Sequence, residues 1–143
     1  MYDVYLAGPF FNEYERKLVD NAKQILVERG LSVFSPKEHF IPNGWNMSNV
    51  DWGQAVFEMD KKAISNCKYI VALYHGLYSD SGTAWEIGYA YALEKQVLIV
   101  CVNNDMSSVM ISNGSTAVID NVEELKNFDF FQFPKLQSNR EQK

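Results

Sequence analysis

Basic clusters, long apolar runs, cysteine and phosphate-cradling glycine motifs are all scarce in this chain, and each scarcity removes a class of function. Lys and Arg number 13 against 18 Asp and Glu, a net charge of -5, and no basic stripe interrupts the sequence. A nucleic-acid polymer needs clustered cations against its phosphates, so none is expected as a partner. No apolar run approaches the roughly 18 residues of a membrane-spanning helix. The start, Met1 to Pro9, has neither a basic n-region nor a long apolar h-region. A cytoplasmic protein without membrane contact is expected, and the sequons at Asn46 and Asn113 are then chance matches. Cys67 and Cys101 lie in or beside apolar stretches and read as buried reduced thiols rather than a disulfide. His39 and His75 have no partner at metal-ligand spacing. Neither a P-loop nor GxGxxG occurs, so no metal or organic cofactor is implied.

What is present is ordinary for one soluble domain: 143 residues, 47% hydrophobic and 22% charged. Val4 to Ala7 reads as a buried strand ended by Gly8-Pro9. Glu13 to Arg29 has helical spacing through Leu18, Ala22, Ile25 and Leu26, with Gly30 as the stop. Leu31 to Phe34 is a second strand, and Lys37 to Val50, with Pro42, Gly44 and three Asn, a long loop. Trp52 to Ile64 reads as a helix, Tyr69 to Leu73 as a strand, Thr83 to Leu93 as a helix and Val97 to Val102 as a strand. A weaker strand at Ala117 to Ile119 and a short helix near Val122 to Lys126 follow. Residues 1–134 are expected to form a single domain and 135–143 a polar tail. The alternation predicts an α/β fold: a doubly wound, mainly parallel five-stranded sheet with helices on both faces, flavodoxin-like or Rossmann-like. Ligands of such sheets sit outside the carboxyl ends of the strands. That rule selects three loops: Gly8 to Asn12, His75 to Gly82, and Asn103 to Gly114.

The chemistry-bearing residues fall in or beside those loops, each with a competing structural role. Glu86 is the one early carboxylate on a helix that is apolar nearly all round, and such a helix is expected to be buried. Thr83-x-x-Glu86 fits a capping box, in which Glu86 reaches back to the helix start. A helix N-terminus also favours an ionised carboxylate, which suits a nucleophile. Tyr5 is either a core aromatic or a hydroxyl partner for a carboxylate. Asp60 fits a solvated helix face, and Asp80 an Asx turn before Ser81-Gly82. Phe10 and Phe11 cannot both enter one core, so one is a candidate platform for a flat base. Met110 reads as packing.

In order along residues 4 to 120, Tyr5-Leu6-Ala7-Gly8-Pro9-Phe10-Phe11, Phe34-Ser35-Pro36 and Asp80-x-Gly82-x-x-x-Glu86-Ile87-Gly88-Tyr89-Ala90 resemble the nucleoside 2-deoxyribosyltransferase family. The resemblance implies that Glu86 is the nucleophile on the anomeric carbon and Tyr5 the group that orients it. Asp80 and Asp60 become the acids facing the base, and Gly8, Phe10, Phe11, Gly82, Ser108 and Met110 substrate contacts. Expected partners are 2-deoxynucleosides and free nucleobases, in a homo-oligomer whose site is shared between subunits. Glu38, Phe40 and Trp45 are candidates to shape the base pocket. One departure stands out: Ser108-Val109-Met110-Ile111 replaces the family's Asn-Leu-Met and looks like the related 2-deoxynucleoside 5-phosphate hydrolases. Against that alternative, the first glycine loop lacks their Arg, and Asp80 stands where they carry Ser. Without an Arg, a phosphate dianion among Asp60, Asp80 and Glu86 is poorly stabilised. A non-catalytic nucleotide-binding module on the same fold is a third reading, and it predicts ligand binding without Glu86.

Overall fold

A computed structural model of the chain describes residues 1–103, 105 and 108–133. Five strands form one sheet: β1 (Tyr2–Ala7), β2 (Val33–Phe34), β3 (Cys67–Tyr74), β4 (Gln96–Cys101) and β5 (Ala117–Ile119). Their order is β2-β1-β3-β4-β5 and every pairing is parallel, a doubly wound sheet. The chain leaves β1 for one side and returns to the other with β3, so the switch in strand order lies between these two neighbours.

Alternation along each strand sends successive side chains to opposite faces. Val4 and Leu6, Val71 and Leu73, Leu98 and Val100 meet helix α1 (Glu13–Glu28) through Val19, Ala22, Ile25 and Leu26. The opposite face carries Tyr5, Ala7, Ile70, Ala72, Val97 and Ile99. It packs on helices α2 (Asn49–Ser65) and α3 (Ser81–Ala92) through Ala63, Ile64, Ile87 and Ala90. Cys67 and Cys101 are buried on this second face. The first face is closed by Phe128, Phe130 and Phe133 beyond a 3-10 helix at Val122–Lys126, the short helix expected there. Arg29 fastens that segment, donating to the carbonyls of Leu125 and Phe128 at 2.8 and 2.6 Å.

The expected elements are present, with shifted ends that have local causes. Helix α2 starts three residues before Trp52 because Ser48 Oγ accepts from the Asp51 N–H at 3.1 Å. It absorbs the end of the expected loop, whose remainder holds 3-10 turns at Pro36–Glu38 and Gly44–Asn46. Strand β2 is shorter than Leu31 to Phe34. The N–H of Leu31 bonds back to the Leu26 carbonyl as α1 ends at Gly30 (φ +84°), and Ser32 pairs with Asp3. The loop from Asn103 to Gly114 contains a short helix α4 (Val109–Asn113), capped by Ser108 Oγ on the Ile111 N–H at 3.2 Å. The expectation that α3 is buried all round is corrected: Trp85 is 46% and Tyr91 58% exposed, on the side away from the sheet. Ser107 and the tail 135–143 lie outside the described residues. Among those described, no helix is long and apolar enough to cross a membrane.

Candidate active site

Strands β1 and β3 deliver their carboxyl ends to the switch point, and helices α2 and α3 roof it. Tyr5, on the α2/α3 face of β1, is fully buried, and its hydroxyl donates a hydrogen bond to Glu86 Oε2. Glu86 comes from the second turn of α3. The capping box Thr83-x-x-Glu86 therefore does not form. The cap is Asp80, whose Oδ2 accepts from the Thr83 N–H at 3.0 Å and from its hydroxyl at 3.3 Å. With Asp80 holding the helix start, Glu86 is released for Tyr5.

Gly8 follows β1 where a Cβ would lie 3.1 Å from Leu73 Cβ on the neighbouring strand, so a side chain there would crowd Leu73. The chain then passes into Phe10 and Phe11, which stack on each other at 6.4 Å with planes 12° apart. Both are exposed, Phe11 the more. Together with Asp60 of α2, Asp80, Gly82 and Glu86 they border a cavity of about 640 Å³. Its apolar walls include Trp52, Phe57 and Trp85, with Phe57 and Trp85 in edge contact at 5.1 Å. Asp60 is not a solvated face residue: one of its carboxylate oxygens, Oδ1, is buried with no hydrogen-bond partner among the described residues.

Burial and mutual repulsion set the charges. Glu86 is pushed up to about 7, chiefly by burial. The Tyr5 hydrogen bond opposes the rise, while the charges of Asp60 and Asp80 add to it. Burial raises Asp60 to about 6. The Tyr5 phenol is driven far above its ordinary range by burial and by the Glu86 and Asp60 charges, so it stays a donor. Two carboxyls thus titrate near neutrality in one apolar cavity, one held by a phenol and one unpartnered. Such a pair can divide the work of nucleophile and proton donor.

Of the expected site residues, Gly8, Phe10, Phe11, Asp60, Asp80, Gly82 and Glu86 line this cavity, and Tyr5 joins it through Glu86. Ser108 and Met110 do not: they line a second cavity of about 650 Å³ between α3 and α4, which shares Asp80 with the first. Phe40 borders the main cavity, and Trp45 a neighbouring one of about 530 Å³. Glu38 faces away and pairs with Lys23 on α1, so it does not shape the base pocket. Sequence reasoning missed Trp52, Phe57, Trp85 and His39 as cavity residues. The aromatic positions of α2 and α3 that do not face the sheet were the available signal. Among the described residues, no group of three His, Cys, Asp or Glu is placed to hold a metal.

The model of a family described as nucleoside 2-deoxyribosyltransferase matches residues 4–128. A 2-deoxyribosyltransferase from Bacillus psychrosaccharolyticus is 32% identical and superposes with a TM-score of 0.84, over 95% of this chain and 98% of that one. The chain belongs to the nucleoside 2-deoxyribosyltransferase family. As a member of it, the protein is a pentosyl-transferring enzyme. All four chemistry-bearing residues, Tyr5, Asp60, Asp80 and Glu86, fall inside the stretch that matches the family. Two more distant structures share the fold. One is a CMP N-glycosidase of Clostridium botulinum (20% identity, TM-score 0.62, 90% of this chain and 99% of that one). The other is a 2-deoxyribosyltransferase of Leishmania mexicana (23% identity, TM-score 0.56, 85% and 77%). No curated protein sequence matches the chain.

Proposed function

We propose that this protein transfers the 2-deoxyribosyl group between nucleobases through a covalent ester on Glu86. The observation that carries this reading is the partly buried Tyr5–Glu86 hydrogen bond at the edge of a cavity that also receives Asp60, whose Oδ1 is buried without a partner among the described residues. In the first step a Glu86 oxygen bonds the anomeric carbon while the bond from that carbon to the base nitrogen breaks. The departing nitrogen takes a proton from Asp60, with Asp80 beside it. In the second step the nitrogen of an incoming base displaces Glu86 and returns a proton to the acid. Two inversions give net retention. Tyr5 aims the Glu86 oxygen and steadies its charge. Phe10, Phe11, Gly8 and Gly82 border the substrate, whose flat base stacks against aromatic walls.

The substrates under this reading are 2-deoxynucleosides and free nucleobases, in nucleoside salvage in the cytoplasm, with residues 1–134 acting as one catalytic domain. Ser108 and Met110 reach a cavity from a neighbouring subunit in a homo-oligomer. That assembly accounts for their distance from Glu86 within one chain and for the exposed outer face of α3.

The test is base exchange. The purified protein is incubated with thymidine and adenine, and separately with a 2-deoxynucleoside 5-phosphate, beside a Glu86→Ala sample. Deoxyadenosine should appear with the wild type and be lost at least about a thousandfold in the variant, as expected for removing a covalent nucleophile. Base released from the 5-phosphate alone would instead make the protein a nucleotide hydrolase. No turnover of either substrate, with ligand still bound by the variant, would make it a binding module.

A further inference from the structure

The cavity has a polar end at Asp60, Asp80 and Glu86, backed by Tyr5, and a wall that is otherwise mostly aromatic and aliphatic; its other polar side chains are Lys37 and Lys61, which pair with Asp20 and Glu58, and His39. His39 lines the main cavity and also the adjoining one, between Phe40 and the start of α2. Its ring lies flat on Phe34, centroids 4.0 Å apart and planes 11° apart. Phe34 lies flat on Tyr5 at 5.5 Å and 12°. Tyr2 closes on His39 edge-on at 6.4 Å and 85°. The imidazole is thus the outer layer of a three-ring stack whose inner layer holds Glu86. Its plane is set by packing. Among the described residues its ring nitrogens take no hydrogen-bond partner, although the residue is half-buried.

We infer that His39 reads the exocyclic edge of the nucleobase, hydrogen-bonding an amino or oxo group on the side of the ring away from the sugar. This rests on the function proposed above, which places the sugar's anomeric carbon at Glu86 and the base beyond it. Phe40, Val56 and Phe57 supply stacking and bulk but no hydrogen bond, and Trp52 offers one indole donor and no acceptor. A base that covers this imidazole displaces its water and must pair with the ring nitrogens, or else leave a polar edge buried and unsatisfied. Neutral imidazole carries one donor and one acceptor. It pairs with an amino group through its bare nitrogen and with an oxo group through its N–H. Adenine and hypoxanthine, or cytosine and thymine, are then both readable by a change of tautomer, whereas unsubstituted purine carries no exocyclic group there.

Binding of free bases tests this without turnover. Calorimetric Kd values for adenine and unsubstituted purine are measured on the wild type, His39→Phe and His39→Gln. His39→Phe keeps the stack on Phe34 and removes both nitrogens. It should weaken adenine about tenfold and leave purine within about twofold, and His39→Gln should recover most of the adenine affinity. Equal losses for both bases would reduce His39 to a packing residue. Unchanged adenine binding, or no adenine binding by the wild type, would overturn the inference. If adenine affinity behaves as expected yet the wild type exchanges no bases, the recognition role stands and the transferase reading falls.

Discussion

Tyr5 and Glu86 act on each other's proton, and the sign of that coupling can be measured. The hydrogen bond from Tyr5 favours ionised Glu86, while burial and the Asp60 and Asp80 charges disfavour it. Glu86 must be ionised to attack, and it titrates near 7. Asp60 must be protonated to donate and titrates near 6, so the active form, Glu86 ionised with Asp60 protonated, is the rarer of the two singly protonated forms and is lost below about 6 and above about 7. The two carboxyls titrate as a pair, and kcat/KM for the donor nucleoside should trace a bell with its maximum between those values. In Tyr5→Phe the stabilising bond is gone. Glu86 then titrates higher, the active form becomes rarer, the alkaline limb moves to higher pH while the acidic limb stays with Asp60, and kcat/KM at the optimum should drop about ten- to a hundredfold, the range for a hydrogen bond to a charged group. An unmoved alkaline limb in that variant would mean that another group carries the nucleophilic step. The pairing is traceable to the ordered motifs that carry Tyr5 and Glu86. The raised Asp60 is not, because nothing local in Met59-Asp60-Lys61 tells a buried helix face from a solvated one.

At the scale of elements, the start of α3 carries two tasks on one side chain. Asp80 caps the helix through the Thr83 N–H and also borders the cavity, so its substitution mixes folding with function. Asn caps helices as well as Asp does, whereas Ala does not. Asp80→Ala should therefore lose about 1 kcal/mol of stability and much of its activity. Asp80→Asn should keep its denaturation midpoint near the wild type and still lose activity if the carboxyl faces the base. Urea melts beside base-exchange assays separate the two, and an active, stable Asp80→Asn would leave Asp80 a cap alone. The same segment marks how far a pattern carries. Asp80-x-x-Thr83 and Thr83-x-x-Glu86 are both competent cap spacings, and choosing between them requires Tyr5, some eighty residues away in sequence. Strand and helix identities were legible because alternation and helical period differ. Their ends were not, because Ser48 and the Asp3–Ser32 pairing act through side chains that composition does not rank.

At the scale of the whole molecule, the two cavities on either side of Asp80 divide the expected site. Glu86, Asp60 and the base-facing aromatics border one, Ser108 and Met110 the other, and α3 runs between them with Trp85 and Tyr91 exposed. An apolar helix reads as buried whether its own chain or another covers it, so its pattern cannot say which. Large exposed aromatics beside an apolar cavity are the usual mark of a surface made to be covered. If a neighbouring subunit brings its Ser108–Met110 segment to the Glu86 cavity, each active site draws on two chains. Glu86→Ala chains and chains doubly changed to Ser108→Ala and Met110→Ala would both be weak alone. Mixed and allowed to exchange subunits, they should regain activity, because some sites then pair an intact Glu86 with an intact partner segment. Two chains with self-contained sites would show only the sum of their separate residual rates at every mixing ratio. The dependence of exchange activity on that ratio therefore decides whether the catalytic unit is one chain or two.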